Sequence, residues 1–228
     1  EFYLFSKCGR GSSKEPKVWS KHALLEDIET SLRELRTDYL DLIQIHSCPR
    51  NILETGESIE ALQEARDKGY ARYIGYSGDN EDAVYAIETG AFDALQTSIS
   101  IADQKAIDLL LPRARARNMG VIAKRPIANA AWRTGQKPES PYHHAYWERL
   151  QELEYDFLKN GLEQGIAIAL RFTLSQPGVH TAIVGTKKPG RWAENAEMLK
   201  AGPLPQEQID RIRARWRQVA DESWVGQV

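Results

Sequence analysis

Two side chains capable of acid–base chemistry stand at the ends of neighbouring apolar runs. Lys7 follows the short aromatic run from Phe2 to Ser6, which predicts a buried strand, and His46 ends the run YLDLIQIH. Taken singly, each has an ordinary explanation, because a lysine after a strand is commonly solvated and a lone histidine is commonly a hydrogen-bonded core residue. Together they place an amine beside an imidazole at the ends of two adjacent strands. This pair predicts a catalytic site.

A basic loop, KKPGR, stands directly before the helix predicted near Trp192 to Leu199. The N-terminus of a helix favours an anion, and an arginine fork suits a phosphate group. A solvated surface loop would have the same composition. From these residues alone, an anion site and a plain surface loop both stay open.

The elements that would position these side chains alternate regularly between strands and helices. Ser20 is a plausible N-cap, and Leu24, Ile28, Leu32 and Leu35 form one apolar stripe, which predicts a helix from about Lys21 to Leu35. The same succession of apolar run and helical pattern recurs along the chain, with Pro112 expected to kink the fourth helix. We count six strand-helix units, followed by an amphipathic C-terminal helix.

Strictly alternating strands and helices, with strands apolar on both faces, predict an α/β fold with a parallel sheet. A doubly wound sheet would carry a glycine-rich phosphate turn after an early strand, and the chain has neither G-x-G-x-x-G nor a P-loop. A TIM-type (β/α)8 barrel fits better, but it needs eight units. We therefore predict one barrel domain over residues 1–228 that lacks its first two βα units and is incomplete at the N-terminus.

Composition limits the class of protein. Among 228 residues, 30 Lys and Arg balance 32 Asp and Glu, so neither nucleic acid nor a membrane is expected as a partner. No apolar run is long enough to span a bilayer, and no signal peptide is apparent. Cys8 and Cys48 form neither a disulfide framework nor a zinc motif, so we expect no metal, a cytoplasmic location and two buried free thiols rather than a redox-sensitive pair.

Four segments resemble those of aldo-keto reductases: FSKCG, YLDLIQIHS, GYSGDN and IVGTKKPGRWAEN. The resemblance covers essentially the whole chain, from the third of the family's eight strands to its C-terminal helix. It implies an NADPH-dependent oxidoreductase that reduces aldehydes or ketones to alcohols by hydride transfer. The substrate would be a small carbonyl compound.

The resemblance also implies roles for individual residues. Lys7 would lower the pKa of a tyrosine acid, and His46 would orient the substrate carbonyl. Ser77 and Gln96 would hold the nicotinamide carboxamide. The remaining cofactor positions fall in two loops: Lys124 and Arg125 after the fifth strand, Gly185, Thr186 and Lys187 around the phosphates, Arg191 at the 2′-phosphate, and Glu194 and Asn195 at the adenine.

The chain departs from the family pattern in three places. The family's tyrosine acid and its aspartate partner would lie before the first residue, and Tyr39 and Tyr76 sit in the wrong units to replace the tyrosine. Gly78 and Asp79 separate Ser77 from Asn80, so the amide role is not assigned to Asn80. Lys124 and Arg125 stand where the family often has an aromatic ring that stacks on the nicotinamide.

Two alternatives to the reductase stay open. One is a non-catalytic NADPH-binding module or decayed paralogue. The other is a lyase in which Lys7 forms a Schiff base, as a desolvated lysine can do.

The long connection over residues 126–146 would carry the substrate pocket, with four candidate lining residues: Trp132, His143, His144 and Trp147.

Overall fold

The computed structural model of the chain describes residues 2–9 and 18–227. Strands and helices alternate in the described residues, as predicted. The strands are β1 Phe5–Cys8, β2 Leu40–His46, β3 Ala71–Ser77, β4 Ala94–Ser98, β5 Gly120–Lys124 and β6 Thr181–Ile183. The α-helices are α1 Lys21–Leu35, α2 Arg50–Leu53, α3 Glu57–Asp67, α4 Asn80–Thr89, α5 Lys105–Leu109, α6 Leu111–Ala116, α7 His144–Leu153, α8 Leu162–Leu174, α9 Arg191–Leu199 and α10 Gln206–Val219.

The chain divides into two compact units. The first comprises the described residues up to 97 together with 112–121, and the second comprises 98–111 and 122–227. The assignment of the whole chain to one domain stays a prediction.

In the first unit, strands β1, β2, β3 and β4 lie side by side in chain order and run parallel. All residues of β2 before His46 are buried, which is typical of a parallel strand covered on both faces. The parallel α/β class is therefore confirmed for this unit. Because the strands run parallel, their carboxyl ends meet at one edge of the sheet.

Helix α1 shows why the local pattern was readable from the sequence. The Ser20 hydroxyl accepts a hydrogen bond from the Ala23 backbone N–H, so the predicted N-cap is confirmed. Leu24, Ile28 and Leu32 are buried along one face. The helix spans Lys21–Leu35, as predicted, and Leu35 at its C-terminal end is 47% exposed.

The first strand differs from its prediction. It begins at Phe5 rather than Phe2, and the Phe2 and Tyr3 side chains are 80% and 73% exposed. Among the described residues β1 pairs with β2 alone, so nothing in that part of the chain covers these two rings. The prediction of a buried strand from Phe2 was therefore wrong in both its start and its burial.

In the second unit, β5 and β6 pair in parallel, with Lys124 opposite Ile183. An apolar core forms around α7, α8 and α10, where Phe172 is fully buried and the Trp216 and Trp224 rings meet edge to face at 5.2 Å.

The helical pattern before Pro112 breaks at Leu110 into α5 and α6, as predicted for a proline.

Candidate active site

Polar side chains occupy the carboxyl ends of the four strands of the first unit. His46 is opposite Ser77, and Ser77 is opposite Gln96. Residues in register on neighbouring parallel strands lie about 4.8 Å apart with side chains on the same face. The structure therefore brings His46, Ser77 and Gln96 together in one row, as the predicted roles require.

Lys7 lies on the strand beside His46. Its register partner is Gln44, which precedes His46 by two residues and so shares its face of the sheet. The Lys7 and His46 side chains are both half-buried. An ammonium and an imidazole at neighbouring strand ends can both donate a hydrogen bond to an oxygen atom, which suits a carbonyl substrate.

A chain of hydrogen bonds links the buried polar residues beneath this row. Gln44 Nε2 donates to Gln96 Oε1 at 3.3 Å, and Gln96 Nε2 donates to Ser77 Oγ at 3.2 Å. These three residues are at most 4% exposed. Gln44 was not among the predicted site residues. The sequence signal for Gln44 was that a polar residue stands inside an apolar strand, two positions before His46 and therefore on the same face of the sheet.

The glycine of the segment GYSGDN, at the end of β3, is required for steric reasons. A Cβ atom on Gly78 would lie 2.6 Å from the Tyr76 ring, so only glycine fits at this turn. Asp79 follows, 4% exposed, and accepts a hydrogen bond from Thr97 Oγ1 at 2.8 Å. Asn80 then begins α4 with a left-handed φ of 55°. The two extra residues thus tie the end of β3 to the end of β4.

Tyr76 is not placed to act as a proton donor to a substrate. It is 1% exposed, and its hydroxyl donates to the Cys48 carbonyl oxygen at 2.8 Å. Burial, together with the charge of Asp82, raises the pKa of Tyr76 above its ordinary value. Tyr39 is partly exposed and stacks against the Arg72 guanidinium at 4.4 Å.

Cys8 and Cys48 are free and buried, in agreement with the favoured interpretation. Burial raises the pKa of both thiols, to about 12 for Cys48. A thiol reacts as its thiolate, so both side chains are held in the unreactive form.

We expect the native protein to resist the thiol reagent DTNB at pH 8, because burial raises the pKa of both thiols and so keeps them protonated. Absorbance at the thionitrobenzoate band measures the reaction. The denatured protein serves as the control and should titrate two thiols. Rapid stoichiometric labelling of the folded protein would contradict the burial of these side chains.

In the second unit, Arg125 follows β5 with a left-handed φ of 56°. Its guanidinium donates to Ser98 Oγ at 2.9 Å, to the Tyr142 hydroxyl at 2.9 Å and to the Gln227 carbonyl oxygen. Lys124 is half-buried at the end of β5. Arg125 is thus held by its own unit, and the cofactor roles of Lys124 and Arg125 stay predictions.

The loop before α9 is open to solvent. Gly185, Thr186 and Lys187 are all exposed, and Thr186 Oγ1 accepts a hydrogen bond from the Lys188 backbone N–H at 3.0 Å. Gly190 turns the chain with a φ of 83° so that α9 begins at Arg191.

The first turn of α9 carries the remaining predicted residues. Arg191 Nη1 pairs with Glu194 Oε2 at 2.9 Å, and Asn195 is 8% exposed. The unpaired backbone N–H groups and the positive end of the helix dipole favour an anion at this terminus. The structure therefore places Gly185, Thr186, Lys187, Arg191, Glu194 and Asn195 on one loop and helix start.

The long connection after β5 packs into the core of its unit. Trp132 is 9% exposed, and a Cβ atom on Gly165 would lie 3.2 Å from its Nε1. His144 Nε2 is 2.8 Å from the Pro138 carbonyl oxygen. Burial lowers the pKa of His143. A substrate role for this segment stays a prediction.

Residues 2–9 and 18–227 contain no helix that is both long and apolar enough to cross a membrane. The same residues contain no group of three or more His, Cys, Asp and Glu side chains that could hold a metal ion. A cavity of about 650 Å³ in the second unit lies between α7, α10 and the turn Asp156–Leu158, and none of the predicted site residues lines it.

Comparison with known proteins identifies the family of the chain. The chain is 28% identical to the uncharacterized oxidoreductase YqkF of Bacillus subtilis (strain 168), covering 96% of this chain and 75% of that protein. It is 26% identical to L-galactose dehydrogenase of Arabidopsis thaliana, covering 98% and 73%. Its fold matches the holo form of an aldo-keto reductase from Bacillus halodurans with a TM-score of 0.74 at 23% identity, covering 97% and 74%. The model of the Aldo/keto reductase family matches residues 1–217, and the chain therefore belongs to that family.

Proposed function

We propose that the chain is an NADPH-dependent oxidoreductase that reduces aldehydes or ketones to alcohols. The observation that carries the proposal is the row of His46, Ser77 and Gln96, in register at the carboxyl ends of adjacent parallel strands, with Lys7 on the next strand. Active sites of parallel barrels lie at that edge. Family membership supplies the reaction class, an oxidoreduction.

The residues suit a nicotinamide cofactor. The buried hydroxyl of Ser77 and the amide of Gln96 offer the donors and acceptors that a carboxamide requires. The exposed loop before α9 and the N-terminus of that helix suit phosphate groups. When bound, NADPH supplies the hydride. Ser77 and Gln96 would keep one face of the ring towards the carbonyl carbon, which is the positioning that the reaction needs.

His46 and Lys7 would act on the carbonyl group. His46 would donate a hydrogen bond to the carbonyl oxygen, which gains negative charge as the carbon accepts a hydride. Lys7 would lower, by its positive charge, the pKa of the group that gives a proton to that oxygen. The family's tyrosine acid is not assigned to any residue of this chain, so turnover has to be measured rather than inferred from binding.

Arg191 would determine the preference for NADPH over NADH. A guanidinium beside a dianionic 2′-phosphate forms strong charge-assisted hydrogen bonds, and in this structure its partner is the exposed carboxylate of Glu194. Replacing Arg191 with leucine should therefore weaken NADPH binding by about 10–100-fold and leave NADH binding nearly unchanged. Fluorescence titration with each cofactor measures both constants.

The matched control for that variant is Arg211→Leu. Arg211 is also an arginine in an ion pair with a helix neighbour, Glu207, and it lies on α10, which carries none of the predicted residues. Its loss should change neither constant. An equal loss of NADPH and NADH binding in Arg191→Leu would contradict the assignment of the 2′-phosphate to this side chain.

The experiment that tests the function is a titration with NADPH and NADH, followed by turnover with a panel of small aldehydes and ketones. Binding with NADPH oxidation supports the reductase. Binding without turnover supports the non-catalytic NADPH module. Trapping of a substrate on Lys7 by borohydride, with no NADPH binding, would support the lyase instead.

A further inference from the structure

The side chain of Gln44 crosses one strand to reach the next. In register, Gln44 on β2 lies opposite Gly75 on β3, and Gly75 lies opposite Ala94 on β4. A Cβ atom on Gly75 would lie 3.1 Å from Gln44 Cγ and 2.9 Å from the Ala94 carbonyl oxygen. Gly75 therefore leaves the space through which the Gln44 amide reaches Gln96.

While Gln44 Nε2 donates to Gln96, the oxygen atom of the same amide makes no hydrogen bond. Gln44 is 1% exposed, and its Oε1 atom has no hydrogen-bond partner among residues 2–9 and 18–227. A buried acceptor without a partner destabilises the folded protein. The amide of Gln44 is therefore oriented so that Gln96 Oε1 receives a hydrogen bond, although Gln44 Oε1 is left without one.

That orientation sets the direction of the whole hydrogen-bonded chain. With Gln44 Nε2 donating, Gln96 must present Oε1 to it and Nε2 to Ser77. Ser77 Oγ then accepts, so its own hydroxyl hydrogen stays available for a ligand. If the chain ran the other way, the Ser77 hydrogen would be used on Gln96, and only its lone pairs could meet a ligand.

We propose that Gln44 is a positioning residue that makes Ser77 a hydrogen-bond donor to the carbonyl oxygen of the nicotinamide carboxamide, acting through Gln96. The inference rests on the proposed function, because it needs a nicotinamide at Ser77 and Gln96. It adds a residue two positions before His46 to the cofactor site. Consecutive hydrogen bonds polarise one another, so the effect of Gln44 should reach Ser77 although the two are not bonded directly.

The first test replaces Gln44 with methionine, which has a similar volume and no amide. NADPH binding should weaken by about tenfold, the effect of one lost buried hydrogen bond. Binding of 2′-phospho-ADP-ribose, which lacks the nicotinamide, should change less than about twofold because it touches neither Gln96 nor Ser77. Isothermal titration calorimetry measures both ligands.

Two comparisons separate positioning from loss of structure. Gln176→Met removes another buried glutamine, which is 4% exposed and whose Nε2 donates to the Phe172 carbonyl oxygen at 2.8 Å. This variant should not alter the ratio of the two affinities. In a Gln96→Met background, Gln44→Met should have no further effect on NADPH, since Gln44 acts through Gln96. Additive losses would overturn the proposal.

A test on the unaltered protein covers the case in which the variant does not fold. The 3-acetylpyridine analogue of NADP⁺ keeps the carbonyl oxygen and lacks the NH₂ group. It should bind within about threefold of NADP⁺ if Ser77 is a donor. A loss of about tenfold or more would mean that the site binds the carboxamide chiefly through its NH₂ group rather than through its carbonyl oxygen, and it would overturn the proposal. If the protein binds neither NADPH nor 2′-phospho-ADP-ribose, the proposed function itself fails.

Discussion

Replacing His46 with alanine is expected to lower kcat/KM for carbonyl reduction by about 10²–10³-fold, the usual cost of one donor to a developing oxyanion. The imidazole would stabilise charge that appears only as the hydride is transferred, so the loss should fall on kcat/KM and kcat together. NADPH affinity should stay within about twofold, because His46 is assigned to the substrate and not to the cofactor. Steady-state kinetics and a fluorescence titration measure the two quantities.

His22→Ala is the matched control for this variant. His22 is exposed on α1 and belongs to none of the hydrogen bonds of the site, so its removal should leave kcat/KM unchanged. A His46→Ala protein that retains full activity would remove His46 from the reaction. One that loses NADPH binding in proportion would make it a cofactor residue.

Replacing Phe172 with alanine is expected to lower the free energy of unfolding by about 3–5 kcal/mol. Phe172 lies on α8 with no exposed surface, inside the apolar core that α7, α8 and α10 share. Removing the ring loses its burial and leaves a cavity that rigid neighbours fill only in part. Urea denaturation followed by circular dichroism measures the change.

The same substitution at Phe2 provides the control. That ring is 80% exposed, so Phe2→Ala should change the free energy of unfolding by less than about 0.5 kcal/mol. A Phe172→Ala loss below about 1 kcal/mol would mean that the core of the second unit is less tightly packed than its burial indicates.

Local elements were predictable because their signals are local. The Ser20 cap and the spacing of Leu24, Ile28 and Leu32 depend only on residues one or two turns apart, and the structure confirms both. The break before Pro112 follows equally from one ring that removes a backbone donor. The start and the burial of β1 were not predictable in this way, because aromatic residues predict a strand but not whether another element covers it.

The chemistry at the strand ends was predictable in its residue types. Lys7 and His46 end apolar runs, and parallel strands bring such ends to one edge. Which neighbours they meet was not predictable, because register depends on how whole strands pair. Gln44 shows the difference. Its identity was visible, but its contact with Gln96 needs the register of β2, β3 and β4 and the missing side chain of Gly75.

By itself, then, the sequence determined the alternation of strands and helices, the parallel α/β class and the polar residue types near the strand ends, because periodicity, capping and family motifs each occupy a short stretch of chain. Only the tertiary structure decided that Gln44 lies beneath the row of His46, Ser77 and Gln96, and that Arg125 is held by Ser98, Tyr142 and Gln227. These contacts join residues far apart in the chain, so they depend on packing and register, which no short stretch specifies.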